Sequence, residues 1–154
     1  MMTVALVDRK VRKEIFENIK YFHFDLGEGQ VTVALHDGTV ANAMDTAALV
    51  AASFCTPGDN FERREGRMRS MRRLLSSPSL LNLATLKPEE ELAMKPFRKD
   101  DGSLNLLGKG LLAAMRLSRD VVAQRVSENK NPEQVKWMNL TKLVPRGRVP
   151  KKKD

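Results

Sequence analysis

Residues 21–35, YFHFDLGEGQVTVAL, decide the fold because they predict a β-hairpin. Residues 21–26 and 30–35 are rich in the aromatic and β-branched side chains that are typical of strands. The Gly-Glu-Gly sequence at 27–29 supplies the permissive backbone of a short loop. Apolar side chains alternate with smaller or polar ones along the second segment, which predicts an antiparallel sheet with one buried face.

The segments on either side of the hairpin extend this mixed pattern. Upstream, Asp8 is placed to cap a short helix through RKVRKEIFENIK, in which Val11, Ile15 and Ile19 recur every four residues. Downstream, residues 47–55, AALVAASFC, are apolar enough to form a buried third strand. A buried helix fits that composition almost as well.

The stretch CTPGDNFERREGRMRSMRRLL at 55–75 combines a turn with an arginine-rich helix. Asp59 is a good N-cap and Glu62 completes a variant of the capping box, so a helix is expected over about 60–75. Gly66, which is costly inside a helix, indicates that a backbone or a ligand approaches closely there. A narrow apolar stripe, flanked by arginines on both sides, is expected to pack on the sheet. It consists of Phe61, Met68, Met71 and Leu75.

The net charge of +8 is concentrated in two segments. Residues 59–75 hold six arginines against three acidic residues, and residues 142–154 hold six basic residues against one acidic residue. Nucleic acid is the commonest partner for such segments, and the planar guanidinium group suits phosphate oxygens. The candidate nucleic-acid-binding residues are Arg63, Arg64, Arg67, Arg69, Arg73, Arg146, Arg148, Lys151, Lys152 and Lys153.

Two other interpretations of the arginines remain open. They fit a solvated helix whose arginines pair with Glu62, Glu65 and neighbouring carboxylates. They also fit a surface that engages an acidic host protein. An enzyme is the least favoured class, because no nucleophile–base pair and no metal-ligand spacing is visible, and no cofactor is expected.

Cys55 is the single cysteine, so it has no internal disulfide partner and no oxidising compartment is required. We expect it to be a buried, unreactive residue that ends a strand. The two histidines, His23 and His36, are the candidate bases. In the predicted hairpin they pair with Val33 and Lys20 rather than with each other, which argues against a catalytic arrangement.

From Ser77 onward the chain is expected to be helical. Pro78 and Pro88 each fit the first turn of a helix. Residues 104–131 predict one long helix, whose apolar face is longer than the first half of the chain requires and therefore suggests a homodimer. That face consists of Leu104, Leu107, Leu111, Met115, Val122 and Val126.

The C-terminal sequence LVPRGRVPKKKD at 143–154 lacks apolar periodicity and is predicted to be disordered until it meets a partner. Residues 143–147 also resemble an engineered thrombin cleavage sequence. Whether they are native is left open, and an engineered origin would remove part of the charge argument.

The junction after the third strand resembles a pattern in small, mostly uncharacterised proteins of phages and prophages. The pattern is Cys55-x-Pro57-x-Asp59-x-Phe61-x-Arg63-x-x-Gly66-Arg67, which spans residues 55–67. The resemblance implies a phage-type origin, and hence the host cytoplasm, together with a strand-to-helix junction. It implies no activity and no functional residues.

The sequence predicts an α+β fold in which a small antiparallel sheet packs with the arginine-rich helix, followed by C-terminal helices and a disordered basic tail. The expected divisions are an α+β domain at 1–75, a helical extension at 76–130 and the tail at 131–154. The favoured function is a phage-type accessory protein that binds DNA or RNA non-specifically. The absence of a long apolar run argues against a membrane partner.

Overall fold

The computed structural model of the chain describes residues 8–26, 29–36, 47–55, 62–127 and 143–145. The helices in these ranges are α1 (Arg9–Phe16), α2 (Arg63–Ser76), α3 (Pro88–Met94) and α4 (Leu106–Ser127), with a 3-10 turn at Lys95–Phe97. The strands are β1 (Lys20–Leu26), β2 (Gly29–His36), β3 (Ala47–Cys55), β4 (Ser79–Asn82) and β5 (Leu143–Pro145). The predicted α+β class is confirmed.

The predicted hairpin is present, but its register differs by one residue. Gly29 belongs to β2 and pairs with Leu26, so the loop is shorter than the Gly-Glu-Gly sequence suggested. His23 therefore pairs with Thr32, and the expected pairing with Val33 is wrong. His36 pairs with Leu49 on β3 instead of with β1. A one-residue shift moves every side chain of a strand relative to its neighbour, so this correction changes which groups meet.

The sheet has the strand order β4-β3-β2-β1-β5 and every neighbouring pair is antiparallel. The outermost strand β5 pairs with residues 24–26 of β1, so residues 143–145 form a strand where a disordered tail was expected. The edge of β1 offers unpaired backbone groups, and an extended segment satisfies them by adding a strand. The rest of the predicted tail, residues 131–142 and 146–154, lies outside the described residues.

The strand β4 corrects the expectation that the chain is helical from Ser77 onward. Pro78 precedes an edge strand rather than a helix, and that strand pairs with residues 47–50 of β3. Leu80 and Leu81 pack on opposite faces of the sheet. The segment that follows the boundary predicted at residue 75 therefore adds a strand to the sheet. The division of the chain into domains stays a prediction.

Helices cover both faces of the sheet, so the expectation of one buried face is wrong. We call the helices on one face the α1/α2 layer and those on the other the α3/α4 layer. Asp8 caps α1 as predicted, because its Oδ1 accepts from the backbone N–H of Lys10 at 2.8 Å. Ile15 is the fully buried residue of that helix.

Most of the apolar face of α4 packs on the sheet. Leu104 belongs to the core but precedes α4, which begins at Leu106 rather than at the predicted residue 104. Leu111 belongs to the same core, shared with β1, β2 and β3, and Met115 packs against it. Leu107 is 37% exposed, and the side chain of Val126 lies outside the described residues. A homodimer through this helix stays a prediction, with less of the expected face left for it. No helix of the described ranges has the length and apolar content that crossing a membrane requires.

Candidate nucleic-acid interface

Helix α2 lies on the sheet through small side chains. Its buried residues, Gly66, Ser70 and Leu74, recur every four residues. A Cβ atom at Gly66 would lie 2.3 Å from Oγ1 of Thr32, so the helix backbone touches the side chain of β2 at this point. A close approach does occur at Gly66, but the expectation of a backbone or a ligand is wrong, because the group that approaches is a side chain of the sheet.

The apolar stripe predicted to face the sheet does not make the closest contact. Met68, Met71 and Leu75 are half-buried, and Phe61 lies outside the described residues. The helix also begins later than predicted. Glu62 has an extended backbone and is the N-cap, without a side-chain cap hydrogen bond, so the predicted capping box is wrong. The helix places Gly66 and Ser70 against the sheet, because the side chain of Thr32 leaves room only for a small residue at the closest contact.

Two rows of polar side chains cross the sheet near the beginning of α2. The first row joins β1, β2 and β3 through His23, Thr32 and Ser53. Nδ1 of His23 lies 2.9 Å from Oγ1 of Thr32, and both Thr32 and Ser53 are buried. The row beside it contains Asp25, Gln30 and Cys55.

These rows do not bring Cys55 and His23 together. Cys55 lies on β3 and His23 on β1, with β2 between them and an offset of two residues along the strands, so their backbones are about 12 Å apart. Direct proton transfer requires hydrogen-bond distance. Cys55 is half-buried, so the expectation of a fully buried thiol is wrong, because the residue ends its strand beside the helix start. The described ranges hold no cluster of three or more metal-ligating side chains.

Two of the predicted arginines have structural partners. Strand β3 extends past its last pair with β4, Val50↔Ser79, and Nη1 of Arg73 donates to the carbonyl oxygen of Ala52 on this stretch. Nη2 of Arg69 lies 2.7 Å from Oε2 of Glu65, one helical turn earlier. The Arg69–Glu65 pair is the carboxylate pairing that the solvated-helix interpretation predicts, whereas Arg73 binds the backbone of the sheet. The two contacts account for part of the arginine content of α2.

Three other arginines of α2 extend into solvent. Arg64, Arg67 and Arg72 are exposed, and none of them forms an ion pair with another described residue. Burial raises the pKa of the Tyr21 hydroxyl on β1, and the positive charge of Arg67 opposes that rise, which places Arg67 beside β1. Arg67 and Arg73 thus lie on opposite flanks of α2, as predicted. Arg63 is half-buried and has a partner.

The sequence interpretation omitted Arg72 and the basic residues of α1. Helix α1 packs beside α2 over a shared apolar cluster. The segments 8–20 and 62–77, which form the α1/α2 layer and its flanks, carry eleven basic and five acidic residues, a net charge of +6. The exposed basic residues of α1 are Arg9, Lys10, Arg12 and Lys13. The sequence did not single out these residues as a basic segment, because the acidic Glu14 and Glu17 follow them closely and lower the net charge.

The α3/α4 layer is closer to neutral, and Arg116 and Arg119 are bound internally. Residues 83–127 carry eight basic and six acidic residues, a net charge of +2. Glu90 is 1% exposed, and its carboxylate accepts from Nη2 of Arg116 at 3.0 Å and from Nη1 of Arg119 at 3.1 Å. Arg116 also donates to the carbonyl oxygens of Asn82 and Thr85. This set of charges stabilises the packing of α3 on α4.

The environment of Glu90 keeps its carboxyl group ionised. Burial alone raises the pKa of the group, but the hydrogen bonds from Arg116, from the backbone N–H of Lys87 and from Arg119 outweigh burial and lower the pKa to about 2. Arg116 and Arg119 are therefore paired with an internal anion.

The five C-terminal candidates, Arg146, Arg148, Lys151, Lys152 and Lys153, lie outside the described residues. The last described residue before them is Pro145, which ends strand β5 on the β1 edge. Comparisons of the chain with protein-family models, with curated proteins and with solved structures found no match.

Proposed function

We propose that this is a phage-type accessory protein that binds nucleic acid without sequence preference through the α1/α2 layer. One observation carries the proposal. Arg64, Arg67 and Arg72 are exposed on a layer with a net charge of +6, and no carboxylate of the described residues pairs with them. Unpaired guanidinium groups on a basic surface attract polyanions, and their planar donor geometry favours phosphate.

The way in which α2 packs on the sheet favours contacts with the phosphate backbone over recognition of base edges. A recognition helix inserts into the major groove and presents several side chains to base edges. Helix α2 instead lies flat on the sheet and has α1 beside it, so its exposed side is one half of a two-helix surface. The helix also contains no asparagine or glutamine, the residues that pair with adenine. Phosphate contacts carry no sequence information directly, so the binding is non-specific.

Fluorescence anisotropy of a labelled oligonucleotide over a salt series tests the proposal. Each phosphate contact contributes about −0.9 to the log–log salt slope on duplex and about −0.7 on single strands. We expect a chain that ends at Pro145, which keeps β5, to retain binding through the α1/α2 layer. If about three of the five removed basic residues reach phosphates, the slope shrinks by about 2 to 3. Absence of binding by the intact chain at low salt contradicts the proposal.

An acidic host protein is the alternative partner, because a carboxylate-rich surface satisfies the same arginines. A pull-down from host cells with and without nuclease separates the two. Loss of the captured material after nuclease supports nucleic acid, whereas survival of a protein partner supports the alternative.

A further inference from the structure

An exposed aromatic side chain lies on the basic side of α1. Phe16, the last residue of the helix, is 56% exposed, while Ile15 beside it is fully buried. At 100° per residue, Arg9 and Arg12 lie within about 40° of Phe16 around the helix. The acidic Glu14 is on the opposite side. The helix thus presents a phenyl ring together with two guanidinium groups.

Phe16 is not needed for the core. The contacts of α1 with the sheet and with α2 come from Val11, Ile15 and the following Ile19. A large apolar side chain left in water usually has no special role when it stands alone. Here it stands among cations on the layer with the larger positive charge, where a polyanion is attracted.

We propose that Phe16 stacks on an unpaired base and that the ligand of the α1/α2 layer is therefore single-stranded nucleic acid. This inference rests on the proposed function. Cationic grooves with aromatic side chains are the chemistry of single-strand binding, because the cations follow the phosphates and the ring covers the face of a base. In a duplex the base faces are stacked on one another, so the phenyl ring of Phe16 can stack only on the terminal base pairs.

Leu92 provides the matched control. It is 68% exposed on α3, in the α3/α4 layer, with Glu89 and Glu91 close to it in the helix. The α3/α4 layer carries less net positive charge than the α1/α2 layer, so we expect the side chain of Leu92 to contribute little to binding.

The test compares the full chain with Phe16→Ala, Phe16→Leu and Leu92→Ala on a labelled oligothymidine of about 20 nucleotides and on a duplex of the same length. We expect both Phe16 variants to weaken oligothymidine binding about tenfold or more, because leucine has no aromatic face. Duplex binding and the salt slope should be unchanged, since no charge is lost. Leu92→Ala should behave as the unaltered chain does. Circular dichroism confirms that each variant is folded.

Each other outcome overturns a different claim. Unchanged oligothymidine binding by both Phe16 variants, or an equal loss on duplex, overturns base stacking while phosphate binding by the layer stands. No binding of either oligonucleotide by the unaltered chain at low salt overturns the proposed function itself. Phe16-dependent binding to phosphatidylserine vesicles, without binding to oligothymidine, assigns the ring to a lipid surface and overturns the inference.

Discussion

The two helical layers of this protein use arginine in opposite ways. In the α3/α4 layer, Arg116 and Arg119 converge on the buried carboxylate of Glu90. In the α1/α2 layer, Arg64 and Arg72 extend into solvent with no described carboxylate as partner. The first arrangement stabilises the fold, and the second leaves positive charge available for a ligand. The density of arginine in a sequence therefore does not indicate its role, because the role depends on where the fold places the carboxylates.

The layers also differ in how they pack on the sheet. Helix α4 contributes Leu111 and Leu112 to an apolar core with Val31 and Val33. Helix α2 contributes Leu74 to a smaller apolar cluster, and its backbone at Gly66 meets Thr32 in a close seam. This seam leaves no room for a larger side chain at Gly66, so the two interfaces should respond differently to substitution.

The largest expected effect is the loss of the internal anion in the α3/α4 layer. Glu90→Ala leaves Arg116 and Arg119 without their carboxylate, and breaking a buried ion pair from one side costs about 3 to 5 kcal/mol of unfolding free energy. Urea denaturation measures the change. Glu89→Ala, on an exposed residue of the same helical turn, is the control and should change stability by less than about 0.5 kcal/mol. Similar values for the two variants contradict a special role for Glu90.

The same carboxylate predicts a pH dependence. The pKa of Glu90 is lowered to about 2 in the folded protein, below its usual value of 4.5. Its contribution to stability is therefore complete above about pH 4.5 and is lost as the pH falls towards 2. We expect Glu90→Gln to weaken the fall of stability in this window, as measured by thermal unfolding at a series of pH values. An unchanged profile contradicts the low pKa.

Substitution in the seam between α2 and the sheet should destabilise the protein less than the loss of the Glu90 carboxylate does. Glycine-to-alanine substitutions inside helices usually stabilise by about 0.5 to 1 kcal/mol, but here the added methyl meets Thr32. Gly66→Ala should therefore destabilise by about 1 to 3 kcal/mol. Thr32→Ala in the same chain removes the nearest atom and should restore part of the loss, which a double-mutant cycle measures. A neutral or stabilising Gly66→Ala rules out the close approach.

The hairpin, α1 and α3 could be predicted because their signals are local. Asp8 precedes the α1 repeat, and Pro88 precedes three acidic residues at the start of α3. The strands β4 and β5 could not, because each is short and is stabilised by pairing with an edge that is distant in sequence. What determines the position of these two strands is the unpaired edge of the sheet, and this edge cannot be recognised from the sequence.

The candidate site was predictable as a segment but not residue by residue. Composition alone found the arginines of α2, yet the candidate list included Arg73, which binds the backbone of Ala52, and omitted Arg72, which has no described partner. It also gave no way to choose Glu90 from three consecutive glutamates. Burial and contacts with residues distant in sequence distinguish these side chains. Successive residues of a helix point about 100° apart, so adjacent residues have different surroundings.

The smallest expected difference in stability is between alanine variants of two adjacent arginines of α2. Arg73→Ala removes the hydrogen bond to the carbonyl oxygen of Ala52 and should cost about 1 kcal/mol. Arg72→Ala removes the same charge without a described partner and should stay within about 0.5 kcal/mol. Chemical denaturation of the two variants side by side checks the difference, and equal losses mean that Arg73 is not a structural residue.

The most direct measurement compares the two layers as ligand surfaces. One variant carries Arg64→Gln, Arg67→Gln and Arg72→Gln in the α1/α2 layer, and the matched variant carries Lys95→Gln, Arg98→Gln and Lys99→Gln in the α3/α4 layer, so both lose three positive charges. The readout is the anisotropy of a labelled oligonucleotide over a salt series. We predict that the first variant loses about 2 to 3 units of salt slope and that the second keeps its slope. Equal losses from both layers, or an intact slope in the first variant with the fold retained, contradict the claim that the α1/α2 layer binds the phosphates.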